Sequence, residues 1–264
     1  MALSAHSDSQ SPVSLLSADE ASPVWTQRLD CASPFVLIGD HAGCAVPRRL
    51  ASLGLPEAEL RRHIGWDLGS AEVALRLSAM LKAPLIMQRY SRLVIDCNRP
   101  PHSPDSIVTV SDGTAIPGNA SVKDADAGQR EAEIFQPYHA AIRSLLDARK
   151  QQRVSTALVA IHSFTPIWEG RRRPWQVGVL YNRDSRLAMA LGKALEGEGG
   201  LNVGYNEPYD VSDETDYSIP EHGERRGLPH VELEIRHDLI ADAAGQQQWA
   251  TRLARLLPPL LASL

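Results

Sequence analysis

Two histidines stand at the ends of apolar runs that have the length of β-strands. His41 comes shortly after residues 35–39, and His162 comes directly after residues 157–161. A lone histidine in such a position is most often a hydrogen-bonded loop residue. Because two occur at corresponding strand ends, and because neutral imidazoles and carboxylates are the ligands that zinc takes, the pair indicates a catalytic metal site with three protein ligands.

A third apolar run, residues 231–235, carries acidic and basic side chains within it. Period-two alternation places Glu232, Glu234 and Arg236 on one face of the predicted strand. An edge strand with one face in water explains this pattern. A carboxylate beside an arginine in a buried crevice, which is typical of acid/base catalysis, explains it equally well. The residues alone leave both interpretations open.

Guanidinium groups are concentrated in one short segment. Arg89, Arg92 and Arg99 lie within eleven positions of one another, with Asp96 and Asn98 between them. Because guanidinium binds carboxylate in a bidentate manner, the segment is suited to clamp a substrate carboxylate. Ion pairing with Asp96 is the structural alternative.

The elements that position these residues follow from hydrophobic periodicity. Strand-like runs are predicted at residues 35–39, 84–89, 93–97, 157–161, 176–181 and 231–235. Helical spacing of apolar residues is found at 73–81, 134–142, 187–195 and 249–257. This alternation predicts an α/β fold, a three-layer α/β/α domain of the phosphorylase/hydrolase-like kind with a mixed, largely parallel sheet. Its ligand crevice is expected beyond the carboxyl ends of the strands, covered by the polar loop 100–122.

Composition narrows the classes of function. The chain has 264 residues, 43% of them hydrophobic, and a formal net charge of -5, which is typical of an ordinary globular protein. No basic field exists to bind nucleic acid or an anionic membrane, so a small-molecule partner is expected. Three cysteines at wide spacings make no disulfide framework or zinc knuckle. The sequence does not indicate an oligomeric state.

The N-terminal residues 1–22 differ in composition from the rest of the chain. They are rich in Ser and Ala and lack the basic start and apolar run of a secretory signal. We expect a disordered or loosely attached tail there, followed by a single catalytic domain over residues 23–264. No apolar segment approaches the length of a membrane span, so a cytoplasmic location is expected.

Several motifs together resemble the N-formylglutamate amidohydrolase family. They are Asp40-His41-Ala42-Gly43, the segment 63–69, the string Arg-Tyr-Ser-Arg-Leu-Val-Ile-Asp-Cys-Asn-Arg-Pro at 89–100, Ile161-His162-Ser163-Phe164, and the segments 221–223 and 236–239. The family is in turn similar to zinc carboxypeptidases and aspartoacylase, in which a His motif, an Asn-Arg pair, a later His and a Glu occur in this order. The resemblance covers nearly the whole chain after residue 22.

The resemblance implies a ligand set for zinc, or for another divalent metal. His41 and His162 are the first two implied ligands. The carboxypeptidase pattern has a Glu three residues after the first His, where this sequence has Cys44. The third ligand is therefore expected to be Asp67, which lies in a matching family segment, with Cys44 as the second choice. The alternative role of Asp67 is to cap the helix that follows it.

The resemblance also implies other site residues, of which Glu234 is the general base. Arg236 is expected beside it in catalysis because alternation places both side chains on one face of the strand. Asn98 and Arg99 are the implied carboxylate clamp, helped by Arg89 or Arg92. His222 is expected either to contact substrate or to serve as a turn residue before Gly223.

The implied activity is hydrolysis of the amide bond of a small N-acyl amino acid that carries a carboxylate. The acyl group is expected to be formyl, as in N-formylglutamate, so that the products are formate and the free amino acid. Other N-acyl amino acids or short peptides are an alternative substrate class. A non-catalytic ligand-binding protein of the same fold is the alternative outside the enzymes.

Overall fold

The computed structural model describes residues 14–264, and a seven-stranded sheet forms its centre. The strands, in the order in which they lie across the sheet, are β1 (Val24–Gln27), β3 (Leu85–Gln88), β2 (Phe35–Gly39), β6 (Ala157–Phe164), β11 (His230–Arg236), β9 (Val177–Leu180) and β10 (Val203–Tyr205). The four strands β3, β2, β6 and β11 run parallel, whereas β1, β9 and β10 run the opposite way. The predicted mixed, largely parallel sheet is thus confirmed. Two small hairpins, β4–β5 (Val110–Ser111, Thr114–Ala115) and β7–β8 (Ile167–Trp168, Arg171–Arg172), lie outside it.

Helices cover both faces of the sheet. The helices are α1 (Glu57–Leu60), α2 (Ser70–Leu81), α3 (Asp124–Arg130), α4 (Gln136–Gln151), α5 (Arg186–Gly197) and α6 (Ala243–Ala262). On one face, α2, α5 and α6 pack on a core that includes Leu37 and Val159. On the other, α4 packs on a core that includes Ile38 and Leu158. Because adjacent strand residues point to opposite faces, a strand buried on both sides must be apolar throughout, which explains the continuous apolar runs of β2 and β6.

The strand order determines where the functional residues meet. The strands β2, β6 and β11 are parallel neighbours, so their carboxyl ends lie at the same edge of the sheet. In this register Glu234 lies directly beside His162. The strand β11 lies between β6 and β9 and is not at the edge. The edge-strand explanation for the alternation around Glu234 is therefore wrong.

One predicted strand is absent. Residues 93–97 form turns, in which Val94 N–H donates to the Ser91 carbonyl and Asp96 N–H donates to the Ser106 carbonyl. The apolar residues of this run are buried in the core on the α4 side of the sheet. A short apolar run signals burial but does not distinguish a strand from a buried turn. The four predicted helices and the other five predicted strands are present, with β1 and β10 in addition.

The predicted N-terminal tail is corrected in part. Residues 1–13 lie outside the described residues. Over 14–22 the chain is attached to the domain: Leu15 is buried in the core. The carboxylate of Glu133 accepts hydrogen bonds from the backbone N–H groups of Leu15 and Leu16 and from the Ser14 hydroxyl, at 2.6–2.9 Å. The Ser- and Ala-rich composition of this segment did not indicate that Leu15 is buried in the core.

No helix between residues 14 and 264 is long and apolar enough to cross a membrane.

Candidate active site

Three buried side chains converge at the carboxyl edge of the sheet. His41 lies just past β2, His162 lies within β6, and Asp67 lies in the turn that precedes α2. The backbone N–H of Asp67 donates to the His41 carbonyl at 3.0 Å, which ties this turn to the end of β2. The two imidazole rings are 5.0 Å apart, centre to centre, and nearly perpendicular. Each residue contributes one possible ligand atom, and these atoms lie within 4.8 Å of one another.

Both imidazoles present the same nitrogen to Asp67. His162 Nδ1 lies 2.9 Å from Asp67 Oδ2, and His41 Nδ1 lies 3.5 Å from the same oxygen. His41 Nδ1 is buried without a hydrogen-bond partner among residues 14–264. A buried nitrogen that has no partner costs free energy unless something binds to it. These three residues could hold a metal ion, and His41 Nδ1 is the atom that such an ion would satisfy.

The other nitrogen of each ring contacts a carboxylate. His41 Nε2 is 2.7 Å from Asp96 Oδ1, and His162 Nε2 is 3.0 Å from Asp40 Oδ2. Because a carboxylate only accepts, His41 Nε2 carries a proton when the ring is neutral, and His41 Nδ1 then has a free lone pair. Both nitrogens of His162 contact carboxylates, since its Nδ1 also lies 2.9 Å from Asp67 Oδ2. Metal-binding histidines are commonly oriented by carboxylates in this way. The arrangement therefore fits a metal site in the position of both rings and in the tautomer of His41.

The local charges also favour a cation. Although burial opposes ionisation of Asp67, His41 and His162 hold the pKa of its carboxyl well below the usual range. Burial also disfavours a charged His162, yet Glu232, Asp40 and Asp67 raise the pKa of the ring well above its usual value. A proton and a metal ion compete for the same ring nitrogen, and both are attracted by these carboxylates.

The two supporting carboxylates are themselves held in place. Arg92 donates to Asp96 Oδ2 through Nη2 at 2.6 Å and through Nε at 3.1 Å. The Ser218 hydroxyl donates to Asp40 Oδ1 at 2.6 Å. Because Arg92 holds one oxygen of Asp96 and His41 contacts the other, rotation of the carboxylate is limited, and this orients the His41 ring.

A cleft of about 380 Å³ opens beside the His-Asp-His group. The predicted polar loop 100–122 contributes to its lining through residues that include Asp105 and Asp112. Glu234 lines the cleft while being only 5% exposed, and its Oε2 atom has no hydrogen-bond partner among residues 14–264. Burial raises the pKa of Glu234 well above its usual range, and the Asp67 and Glu232 carboxylates raise it further. A carboxyl with a raised pKa can both take and return a proton near neutral pH.

Asn98 and Arg99 line the same cleft, but both are engaged by carboxylates of the protein. Asn98 Nδ2 donates to Glu232 Oε2 at 3.3 Å, and Arg99 Nη1 donates to Asp216 Oδ1 at 3.0 Å. Burial raises the pKa of Glu232 to about 7, with Asp216 among the groups that add to the shift. The predicted clamp residues are thus in the cleft, where Asn98 is hydrogen-bonded to Glu232 and the charge of Arg99 is paired with that of Asp216.

Three predicted site residues lie elsewhere. Arg89 Nε donates to the Ser22 carbonyl, and its guanidinium stacks over the Trp25 ring. Arg236 pairs with Asp238 at 2.8 Å and donates to a backbone carbonyl. Neither lines the cleft. Residue type and spacing indicated a functional arginine, but the direction of each side chain is determined by the neighbours it packs against.

His222 is the third residue outside the cleft. It is fully buried, and its Nε2 lies 2.9 Å from His139 Nδ1, with the two rings stacked. His139 Nε2 in turn donates to the Cys97 carbonyl at 2.8 Å. The pair thus contacts the end of the 93–97 turn through Cys97. His222 does not line the cleft, so it lies away from the predicted contact with substrate.

Of the two residues predicted as third ligand, Asp67 and not Cys44 lies with the histidines. Asp67 lies between the two imidazoles, whereas Cys44 is half-buried near the charges of Arg61 and Glu57. Asp40 and Asp216 were not among the predicted site residues. The only signals were the family motif in which Asp40 lies and the polar character of the segment around Asp216.

Known proteins resemble this chain in sequence and in fold. Residues 33–241 match the family model described as N-formylglutamate amidohydrolase. A solved structure described as gene product Atu2144 from Agrobacterium tumefaciens is 35% identical, with a TM-score of 0.91 over 94% of this chain and 98% of that one. The N-formylglutamate amidohydrolase from Ralstonia eutropha JMP134 is 18% identical and shares the fold, with a TM-score of 0.62 over 92% of this chain and all of that one. The search of curated protein sequences gives no match.

The family match covers most of the described chain and includes every residue of the His-Asp-His group and Glu234. The motifs around His41, Arg92 and His162 that indicated this family therefore lie at the edge of the sheet where the structure forms its cleft. The chain belongs to the N-formylglutamate amidohydrolase family and is a hydrolase that acts on amide carbon–nitrogen bonds.

Proposed function

We propose that this protein is a zinc-dependent hydrolase of small N-acyl amino acids, with formyl as the acyl group, and that it releases formate and the free amino acid. One observation carries the proposal. The Nδ1 atoms of His41 and His162 meet Asp67 at the wall of a cleft that also presents the unpartnered carboxylate of Glu234. The size of the cleft, about 380 Å³, suits a small ligand.

The donor set suits zinc. Two imidazole nitrogens and one carboxylate oxygen form the ligand set of many catalytic zinc sites, which keep a further position open. When bound, such an ion supplies a Lewis acid that polarises the acyl oxygen and makes water more acidic. His41, Asp67 and His162 would hold it.

Glu234 is the proposed general base. Its carboxylate takes the proton of the attacking water as a carbon–oxygen bond forms at the acyl carbon. It then gives that proton to the departing nitrogen as the carbon–nitrogen bond breaks. The protein is unchanged after the cycle, and the water is divided between the acid and the amine. Its buried position beside His162 keeps the carboxyl close to the reacting centre.

Two arginines position the substrate in this proposal. Arg92 lines the cleft, with Nη1 at 3.7 Å from Asp67 Oδ1, so its positive charge lies near the place where an acyl oxygen becomes negative. Arg99 makes its hydrogen bonds through Nη1, and its Nε and Nη2 make none with residues 14–264. These two groups are suited to bind one substrate carboxylate.

The experiment measures release of formate and of free amine from a panel of N-formyl and N-acetyl amino acids. The zinc-loaded protein is compared with protein stripped by a chelator and then reloaded. We expect turnover of N-formyl compounds that is lost on stripping and restored by zinc. The Glu234→Gln variant, purified in the same way, controls for contaminating hydrolases. Full activity after complete removal of metal would contradict the zinc dependence. No turnover of any compound would favour a ligand-binding protein instead.

A further inference from the structure

A second cavity lies at the opposite end of the sheet from the His-Asp-His group. Its volume is about 370 Å³, which is within the usual range for sites that bind small molecules. Residues 154–156, just before β6, and Leu228, just before β11, form its wall together with the end of α4. His162 and Glu234 lie near the carboxyl ends of the same two strands, about 20 Å along the sheet. The cavity is therefore separate from the candidate active site.

The wall of this cavity combines cationic and aliphatic side chains. The charges are those of Lys150, Arg153 and Arg226, and the aliphatic side chains are those of Leu146, Val154 and Leu228. Among the described residues, no acidic or aromatic side chain forms part of the wall. Arg226 is paired with Asp147 at 2.6 Å, whereas Lys150 and Arg153 have no side-chain partner among residues 14–264. Because the whole chain has a net charge of -5, this cavity is a local exception that attracts anions.

Arg153 has a backbone conformation that glycine normally supplies. It follows α4 with a φ of 58°, and the N–H groups of Arg153 and Val154 donate to the carbonyls of Lys150 and Arg149 at 3.1 and 2.9 Å. Glycine is usual at such a helix end, because a side chain is disfavoured at positive φ. Attraction to the helix dipole explains basic residues in the last turn of α4. It does not explain an arginine at the one position where glycine is the more favourable residue.

The backbone beside the two unpaired cations is held in place from inside the protein. Arg149 is buried, and its guanidinium donates to the Ser155 carbonyl at 3.1 Å and to the Thr156 hydroxyl at 2.9 Å. The Ser155 hydroxyl makes no hydrogen bond with the described part of the chain and is available as a donor. Because residues 155 and 156 are already fixed, a ligand that binds there orders little of the protein.

We propose that this cavity binds a small amphiphilic anion, which has a carboxylate or phosphate head on a short aliphatic chain. Arg153 and Lys150 bind the head, and the aliphatic part of the wall contacts the chain. A single exposed ion pair is weak in water, so affinity requires the charges and the apolar contact together. A nucleotide is not favoured, because the described wall offers no aromatic ring on which a base could stack. The inference is independent of the proposed hydrolysis, since this cavity and the cleft share no residue.

Titration calorimetry of the zinc-loaded protein with four probes tests the proposal. Octanoate and octyl phosphate carry the two possible heads on one chain, octanol has the chain without the charge, and inorganic phosphate has the charge without the chain. We expect at least one octyl anion to bind once per chain, and at least about tenfold more tightly than octanol or inorganic phosphate. The tighter of the two octyl anions then identifies the head group. Equal affinity for octanol or for inorganic phosphate, or no binding of either octyl anion, would overturn the proposal.

Two variants locate the site. Arg153→Gly removes the guanidinium and relieves the positive φ, so its Tm should equal or exceed that of the wild type while affinity for the anion falls by about tenfold. Lys150→Met should lower the affinity by a similar factor. Lys193→Met is the matched control, because Lys193 is exposed on α5, which packs on the other face of the sheet. Unchanged affinity in both cavity variants would show that the anion binds elsewhere, as at the zinc of the cleft, and would contradict the proposal.

Discussion

His41 presents its Nε2 atom to Asp96 at 2.7 Å and thereby directs its Nδ1 atom toward Asp67. The ring cannot turn over without losing this contact, because Arg92 holds the Asp96 carboxylate on its other oxygen. The order of contacts is guanidinium, carboxylate, imidazole and then the possible metal position. Asp96, which is not part of the His-Asp-His group, therefore determines which nitrogen of His41 carries the proton.

The first prediction concerns Asp96. Replacing Asp96 by Asn removes the charge that orients His41, and we expect affinity for zinc to fall by about 10- to 100-fold. Competition with a chromophoric chelator measures this affinity. Asp238→Asn is the control, since Asp238 pairs with Arg236 outside the cleft. Unchanged zinc affinity in Asp96→Asn would show that the ring is oriented by other contacts.

The second prediction concerns the two imidazoles. His41→Asn and His162→Asn each remove one of three proposed ligands, and we expect the purified proteins to retain well under one zinc ion per chain. Metal content by atomic absorption after dialysis is the measurement. His102→Gln is the matched control, because His102 has an exposed side chain that contacts Glu131. A full zinc complement in both ligand variants would contradict the proposed site.

The third prediction separates the two glutamates of β11. Glu234→Gln removes the proposed base, so kcat should fall by about 10²- to 10⁴-fold while zinc remains bound. Glu232→Gln retains an oxygen that can accept from Asn98, and we expect a smaller loss of kcat. Steady-state kinetics with metal analysis on the same samples measures both. A larger loss of kcat in Glu232→Gln would reverse the assignment.

The fourth prediction concerns stability in acid. Burial lowers the pKa of His139 to about 4, whereas an unfolded histidine titrates near 6.5. Between these values the unfolded chain binds a proton that the native protein does not, so the free energy of unfolding falls as the pH falls from about 6.5 to about 4. Between pH 7 and pH 4.5, the free energy of unfolding of metal-free wild-type protein should fall by about 2 kcal/mol more than that of His139→Gln.

Urea unfolding at the two pH values measures this difference. The exposed His102→Gln variant is the control and should lose as much stability as the wild type. Equal losses in His139→Gln and wild type would show that His139 takes up its proton in the native state.

The fifth prediction concerns the N-terminal anchor. Leu15 is 3% exposed, so Leu15→Ala should lower the free energy of unfolding by about 2–3 kcal/mol through lost burial and the cavity left behind. Leu29→Ala is the control, since Leu29 is exposed, and we expect it to change stability by less than about 0.5 kcal/mol. Chemical denaturation of each variant is the measurement. Equal small effects would indicate that residues 14–22 are not part of the cooperative unit.

Hydrophobic patterning was sufficient to predict the layered α/β class and the edge of the sheet at which the candidate site lies. Continuous apolar runs can only be strands or segments buried on all sides, and polar residues at their ends must meet where parallel strands end. This reasoning, with the family motifs, was enough to select His41, His162 and Glu234. It failed at residues 93–97, because burial alone does not specify backbone conformation.

Long-range packing determines which charged groups face the cleft. Arg89 and Arg92 are three positions apart, yet the first stacks on Trp25 and the second pairs with Asp96 in the cleft. Asp216 meets Arg99 across more than a hundred residues of chain. Pairing of this kind depends on long-range packing, and no local pattern of residue types encodes it. The sequence therefore specified the chemical groups available, while the fold determined which of their charges remain for a substrate.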